Sequence, residues 1–291
     1  MRFDTSKSEL LDSVIKEYLR DHPDLPERWL LEQDLFTGPA RRALLSSLIL
    51  DNGWTLLDAG CGFGVIPFEL AGQLQIEIHG VDVDEAKLQV ARDIQVRLQE
   101  CGYLDGSSTI TFGQGNLETL DFSDEVFDFV YVSFVYQYLK DPESVTDEFY
   151  RVLRPGGSLC IVDADDGLSL IYPEPSAAYS NMSEAFAKLQ ASNGGDRNVG
   201  RKLASFLDGT GFDVIATLIL PAAEYRSTSA DEPGRRFLLG RFAEARKGIV
   251  DAGIMNEGDF DKNFESLRAE SALLQYRTNA QIIAVGRRPA S

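Results

Sequence analysis

Leu10, Leu11, Val14, Ile15 and Leu19 recur three and four positions apart among polar residues, which predicts an amphipathic helix over 8–20. Pro23 and Pro26 end it. A second helix is expected to start near Pro39, a favoured first-turn residue, and to turn Ala43, Leu44, Leu48 and Ile49 inward before Asn52-Gly53 stops it. Beyond Gly53 the rhythm changes. Short apolar runs at 55–59, 77–82, 109–113, 127–133 and 158–163 alternate with helical periodicity at 64–74, 85–100 and 143–153. Strands separated by helices imply a parallel sheet covered on both faces.

After Asp165 the alternation loosens. Helices are expected at 176–190 and 201–207, on either side of the loop Asn193-Gly194-Gly195, and a sixth strand at 212–220. Residues 221–278 read as mostly helical and polar, and 281–286 returns as a short apolar strand. The chain thus divides into an N-terminal helical cap segment (1–50), a core (51–220), a helical insertion or lid at the sheet edge (221–280) and a final core strand with its tail (281–291).

A net charge of -18 over 291 residues argues against a nucleic-acid partner, because phosphate binding needs a basic face. An acidic membrane surface is disfavoured for the same reason, and no run of about 18 apolar residues could span a bilayer. Cys61, Cys101 and Cys160 form no CxxC pair, so neither a disulfide framework nor a metal site is expected. The first residues carry Arg2, Asp4, Lys7 and Glu9 and have no apolar signal region. These features predict a soluble, cytoplasmic protein.

Candidate chemistry centres on Leu56-Leu57-Asp58-Ala59-Gly60-Cys61-Gly62-Phe63-Gly64, an apolar strand running into three closely spaced glycines. Such a turn lets bare backbone approach a ligand, and the helix after it aims its unpaired N–H groups at any anion there. About 20 residues further on, Gly80-Val81-Asp82 puts an acid where a ribose hydroxyl pair is met. NAD and FAD sites carry GxGxxG, whereas Gly64 stands at GxGxG spacing. Ligands of open parallel sheets bind at the carboxyl ends of the strands. Those ends hold Asp58 to Gly64, Asp82, Gly115-Asn116-Leu117 and Ser133-Phe134, which suits an adenosine carrying a small charged tail. Gly60 and Gly62 would admit the tail, Asp82 would accept both ribose hydroxyls, Asn116 would meet the adenine edge, and Val83 and Leu117 would sandwich the ring. Plainer readings stand beside these: Asp82 as a helix cap (a role for which Asp84 is better placed), and Cys61 as a buried thiol.

These pieces, with Phe127-Asp128-Phe129-Val130 and the block Arg151-Val152-Leu153-Arg154-Pro155-Gly156-Gly157, resemble the class I S-adenosylmethionine-dependent methyltransferases of small molecules. The resemblance implies a Rossmann-like α/β fold: a seven-stranded, mostly parallel sheet with helices on both faces, an antiparallel last strand and a helical cap. It assigns Asp58, Gly60, Cys61 and Gly62 to the methionine end of S-adenosylmethionine, Asp82 to the ribose, and Asn116 and Leu117 to the adenine. Backbone at Ser133 or Phe134 falls near the cofactor's amino group. The family often has Asp where Asn116 stands; Asn can still pair with the adenine amine through its carbonyl oxygen.

The activity implied is methyl transfer to a small-molecule acceptor by in-line displacement. The alternative is a cofactor-binding protein of this fold that runs another reaction or serves as a binding module. Ser133-Phe134-Val135-Tyr136 is not the Asn/Asp-Pro-Pro-Tyr-type motif of base or amino methylation. Trp29, Phe134, Tyr136, Tyr138, Asp163 and Tyr172 flank strand ends or belong to the cap and are the candidates for the substrate pocket. Residues 27–33 look like a covering helix, with Arg28 or Gln33 placed to close over the cofactor's carboxylate. His22 and His79 are the only histidines, and no catalytic base is assigned. The acceptor atom and the oligomeric state stay open.

Overall fold

The computed structural model describes residues 4–225, 233–270 and 276–290. Helix α1 (Thr5–Asp21) is capped by Asp4, whose side chain accepts from the N–H groups of Ser6 and Lys7. Helix α2 (Arg28–Ser47) follows. Strands and helices then alternate as β1 (Thr55–Ala59), α3 (Val65–Ala71), β2 (Glu77–Asp82), α4 (Glu85–Glu100), β3 (Thr109–Gln114), β4 (Phe127–Ser133), α5 (Pro142–Val152) and β5 (Leu153–Ala164). The remainder comprises β6 (Ile171–Tyr172), α6 (Ala177–Ser192), α7 (Leu203–Thr210), β7 (Asp213–Tyr225), α8 (Pro233–Asp251), α9 (Glu257–Ala269) and β8 (Tyr276–Arg287).

The strands lie in the order β3-β2-β1-β4-β5-β8, with β7 on the far side of β8 and the two-residue β6 extending the sheet beside β8. β1 to β5 pair in parallel, and β8 runs antiparallel to both β5 and β7. This is the expected mostly parallel sheet with an antiparallel last strand, with β6 added. Period-2 alternation divides its side chains between two cores. Leu56, Ile78 and Phe129 face α1 to α4 with Leu11, Leu45, Phe68 and Ile94. Leu57, Val130 and Val132 face α5 and α7 with Phe149, Leu203 and Leu207. A third core joins Met182 of α6, Phe242 of α8 and Phe260 of α9.

Several boundaries depart from the sequence reading. β7 runs on to Tyr225 and β8 starts at Tyr276, so both edges of the expected 221–280 insertion are paired strand, while its residues 226–232 and 271–275 lie outside the described residues. Pro39 lies inside α2 rather than at the start of a helix, so the covering segment 27–33 and the second helix are one element. An internal proline costs about 3 kcal/mol. Here tertiary anchors hold the helix on both sides of it: Arg41 and Arg42 both reach Glu69 of α3 at 2.8 Å, and Trp29 is bonded to α8. β5 starts at Leu153, ahead of the expected 158, because Arg154 pairs with Asp128 of β4 at 2.5 Å and draws the Arg-Pro-Gly-Gly block into the strand. At Gly157 a Cβ would lie 2.9 Å from the Arg154 carbonyl oxygen, so this block is structural.

Candidate active site

A cavity of about 690 Å³ opens at the carboxyl ends of β1, β2 and β4 and is roofed by α2, α6 and α8. Asp58, Gly60, Cys61, Gly62, Asp82, Val83, Asn116, Leu117, Ser133 and Phe134, scattered in sequence, all line it. Trp29, Gln33 and Tyr138 join them.

The glycine turn is held by β2. The N–H groups of Gly60 and Cys61 both donate to the Val81 carbonyl (2.7 and 3.0 Å), and that of Gly62 donates to Asp82 Oδ2 at 2.9 Å. Asp82 Oδ1 accepts from the Asp84 N–H at 3.0 Å. Asp84 in turn caps α4 by accepting from the N–H groups of Ala86 and Lys87. All three glycines have positive φ, yet their jobs differ. A Cβ on Gly60 would lie 2.3 Å from Val135 Cγ2, and one on Gly64 2.6 Å from the Phe112 ring. At Gly62 (φ 51) a Cβ would meet nothing within 4 Å, so this is the glycine that faces open cavity.

Carboxylates gather at one end. Asp58 is 4% exposed and its Oδ2 has no hydrogen-bond partner. Burial, reinforced by the charges of Asp82 and Asp34, pushes its pKa well above the usual carboxylate range. Burial also raises Asp34 of α2 to about 6, against the pull of Arg41. That arginine bonds Asp34 Oδ1 (3.1 Å), Thr37 Oγ1 (3.2 Å) and, through two nitrogens, Glu69 (2.8 and 2.9 Å). Tyr131, the cross-strand neighbour of Asp58, completes the floor.

Away from these carboxylates the lining is largely apolar and aromatic, with Trp29 and Leu30 from α2, Phe186 and Leu189 from α6, Tyr138 and Leu139 after β4, and Ala245 from α8, beside the charged Glu27, Lys87, Arg241 and Glu244. Adjoining it, Phe134 keeps a left-handed backbone (φ 57) while its N–H donates to the Val162 carbonyl at 2.8 Å. A non-glycine residue held there is strained.

Three expected pocket residues do not line this cavity. Tyr136 is buried in the second core, its hydroxyl 2.8 Å from Thr146 Oγ1. Asp163 is buried beneath the loop after β4, accepting from the N–H groups of Gln137 (3.1 Å) and Ala164 (2.7 Å). Tyr172 stands 64% exposed on β6. Proximity to a strand end does not fix which face a side chain takes. His79 bonds Glu77 and Thr111 on β2 and β3, His22 stacks on Tyr18, and Arg28 bonds Glu32 and the Leu19 carbonyl. Sequence reasoning missed Asp34, Arg41, Phe186, Leu189, Arg241 and Glu244, all on the cavity wall. They sit on helices with no motif, and only the packing of α2, α6 and α8 brings them together.

Among the described residues no group of three or more His, Cys, Asp or Glu is placed to hold a metal ion, and no helix is long and apolar enough to cross a membrane.

A family model described as a methyltransferase domain matches residues 57–161. The demethylmenaquinone methyltransferase of Lactobacillus johnsonii is 28% identical over 173 residues, which cover 58% of this chain and 68% of that one. An O-methyltransferase of Pyrenophora dematioidea is 30% identical over 184 residues, 62% of each chain, so about a third of either relative lies outside the match. Among solved structures, the [4+2]-cyclase SpnF superposes over 100% of this chain and 99% of its own with a TM-score of 0.56 at 17% identity, a likeness of fold.

Proposed function

We infer that this chain is a class I S-adenosylmethionine-dependent methyltransferase, and from that premise we propose that it methylates a small, apolar or aromatic metabolite in the cavity described. The observation that carries the reading is Asp58: a buried carboxyl with an unpartnered oxygen, on the wall of a cavity that also holds Asp34 and Asp82, suits a cationic, donor-bearing ligand. The Gly62 cradle, open where a Cβ would stand, fits the same ligand.

In this reading Asp58 and the 60–62 turn hold the methionine end. Asp82 spends one lone pair of each oxygen on the chain's own N–H groups and keeps the others for ribose hydroxyls. Asn116 accepts from the Glu118 N–H at 3.0 Å through Oδ1, which leaves that oxygen's second lone pair and the amide for the adenine edge. Val83 and Leu117 flank the ring, and Ser133 and Phe134 offer backbone to the amino group. Bound there, S-adenosylmethionine supplies a methyl group already activated by a positive sulfur. The chain's share is alignment, which is worth about 7–11 kcal/mol when complete. The roof of α2, α6 and α8 keeps water out, and the aromatic end selects an apolar acceptor. A net charge of -18 supports a metabolite over a nucleic acid, and three unpaired cysteines support a cytoplasmic setting.

Calorimetry with S-adenosylmethionine and S-adenosylhomocysteine, on the intact chain and Asp82→Ala, tests the cofactor half. Saturable binding that the variant loses is expected; no binding by the intact chain would overturn it. A metabolite panel read by mass spectrometry tests transfer, because only transfer releases S-adenosylhomocysteine together with a methylated product.

A further inference from the structure

Glu244, on the cavity face of α8, accepts two hydrogen bonds from the start of α2. One comes from the Glu27 backbone N–H at 2.9 Å and the other from the Trp29 indole Nε1–H at 2.5 Å. The first N–H groups of a helix have no partner within it. Glu27, the N-cap of α2, makes no side-chain cap of its own and stands in left-handed backbone (φ 50), so α8 supplies an acceptor from outside. The Glu27 carboxylate meanwhile pairs with Lys87 of α4. All four residues line the cavity. The helices meet closely here: a Cβ on Gly240 would lie 3.0 Å from Trp29 Cβ, and the Phe237 ring meets the Trp29 ring edge-on at 5.4 Å. Arg236 adds an ion pair with Glu32 at 3.3 Å.

We propose that Glu244 is a positioning residue for the acceptor end of the pocket. It fixes the Trp29 ring as a wall against the acceptor and, through Glu27 and Lys87, ties that wall to the helix that follows Asp82. The proposal rests on the reading that the space under α2, α6 and α8 receives the acceptor. Two bonds from donors two residues apart set both the height and the rotation of the first turn of α2. Phe237 and Gly240 hold the ring by contact alone, whereas the bond to the indole N–H sets its direction. Glu244 therefore governs which acceptors fit, and the cofactor's own contacts lie elsewhere, at the ends of β1, β2, β3 and β4.

The test uses a Trp54→Phe background, in which Trp29 is the sole tryptophan, with Glu244→Ala and Glu244→Gln. Acrylamide quenching of Trp29 fluorescence, S-adenosylhomocysteine affinity, and kcat and KM with a panel-identified acceptor are the readouts. In Glu244→Ala, quenching is expected to rise about twofold and acceptor KM about tenfold, with kcat changed less and S-adenosylhomocysteine affinity held within about threefold. Glu244→Gln recovers most of the protection, since its carbonyl can still accept from the indole. Unchanged quenching in a folded Ala variant, or cofactor affinity lost in step with the protection, overturns the proposal. Should Glu244→Ala not fold, the double-mutant cycle of Glu244→Leu, which fills the space but cannot accept, with Trp29→Phe decides: non-additive KM effects support the proposal and additive ones overturn it. If the parent chain binds no S-adenosylhomocysteine, the methyltransferase reading falls while the quenching arm still judges the Glu244 contact.

Discussion

The carboxylate of Asp82 holds the backbone N–H of Gly62 at 2.9 Å, so the acid that ends β2 and the glycine turn that follows β1 form one unit. Asp82→Ala should cut cofactor affinity about tenfold or more, and also cost about 1–3 kcal/mol of stability by orphaning the Gly62 and Asp84 donors. Asp82→Asn keeps one acceptor oxygen and should lose less stability while still losing affinity. Calorimetry and urea denaturation separate the two effects.

The glycines of the turn should part company under substitution. Gly60→Ala drives a Cβ into Val135 and is expected to destabilise the fold by several kcal/mol. Gly62→Ala meets no atom and carries only the strain of φ 51, about 1 kcal/mol, so its main effect should be weaker cofactor binding. A Gly62→Ala protein that melts much lower yet binds normally would contradict this division.

The same turn shows what the sequence made legible. Gly60, Gly62, Asp82 and Asn116 could be placed because each sits directly at the end of a strand, where topology alone aims the backbone at the ligand. Side-chain direction one turn later is set by packing. Tyr136 and Tyr138 are two residues apart in one short helical turn, and the first enters the core while the second reaches the cavity. The roof was beyond reach for a different reason: Phe186, Arg241 and Glu244 meet the site only through the α6–α8–α9 core, a contact between helices far apart in sequence. Pro39 misled for a third, since tertiary anchors at Trp29 and Glu69 outweigh a local helix signal.

Tyr136→Phe and Tyr138→Phe should accordingly differ. The first removes a buried hydroxyl from Thr146 and is expected to cost about 0.5–1.5 kcal/mol in urea denaturation, with cofactor and acceptor binding unchanged. The second should leave stability near the parent value and alter acceptor kinetics.

Asp163 gives a pH signature. Burial raises its pKa to about 7, against the backbone N–H groups that favour its charged form. A carboxyl whose folded pKa lies above its unfolded value of 3.8 stabilises the fold at low pH and gives that stability up as pH rises towards 7. Asp163→Asn stays neutral throughout, so its stability relative to the parent should improve between about pH 4 and pH 8. Melting temperatures of both proteins across that range provide the check, and a constant difference would refute the assignment.

Glu69 is the shared anchor of Arg41 and Arg42, 1% exposed and bonded to each at 2.8 Å. Glu69→Ala leaves two arginines facing a buried hole and is expected to cost about 3–5 kcal/mol in denaturant unfolding. The loss should fall on α2 first, as faster amide exchange after Pro39.

β8 is the last strand in the chain and yet lies between β5 and β7. On the ribosome, then, every other strand and the α6–α8–α9 helices emerge before the piece that bridges the two halves of the sheet. Until it arrives, β5 presents an open edge and β7 has no neighbour to pair with. Long-range closure of this kind is slow and leaves apolar surface waiting. Assembly of the roof, whose helices α6 and α8 flank β7 in sequence, is thereby tied to the final step of folding.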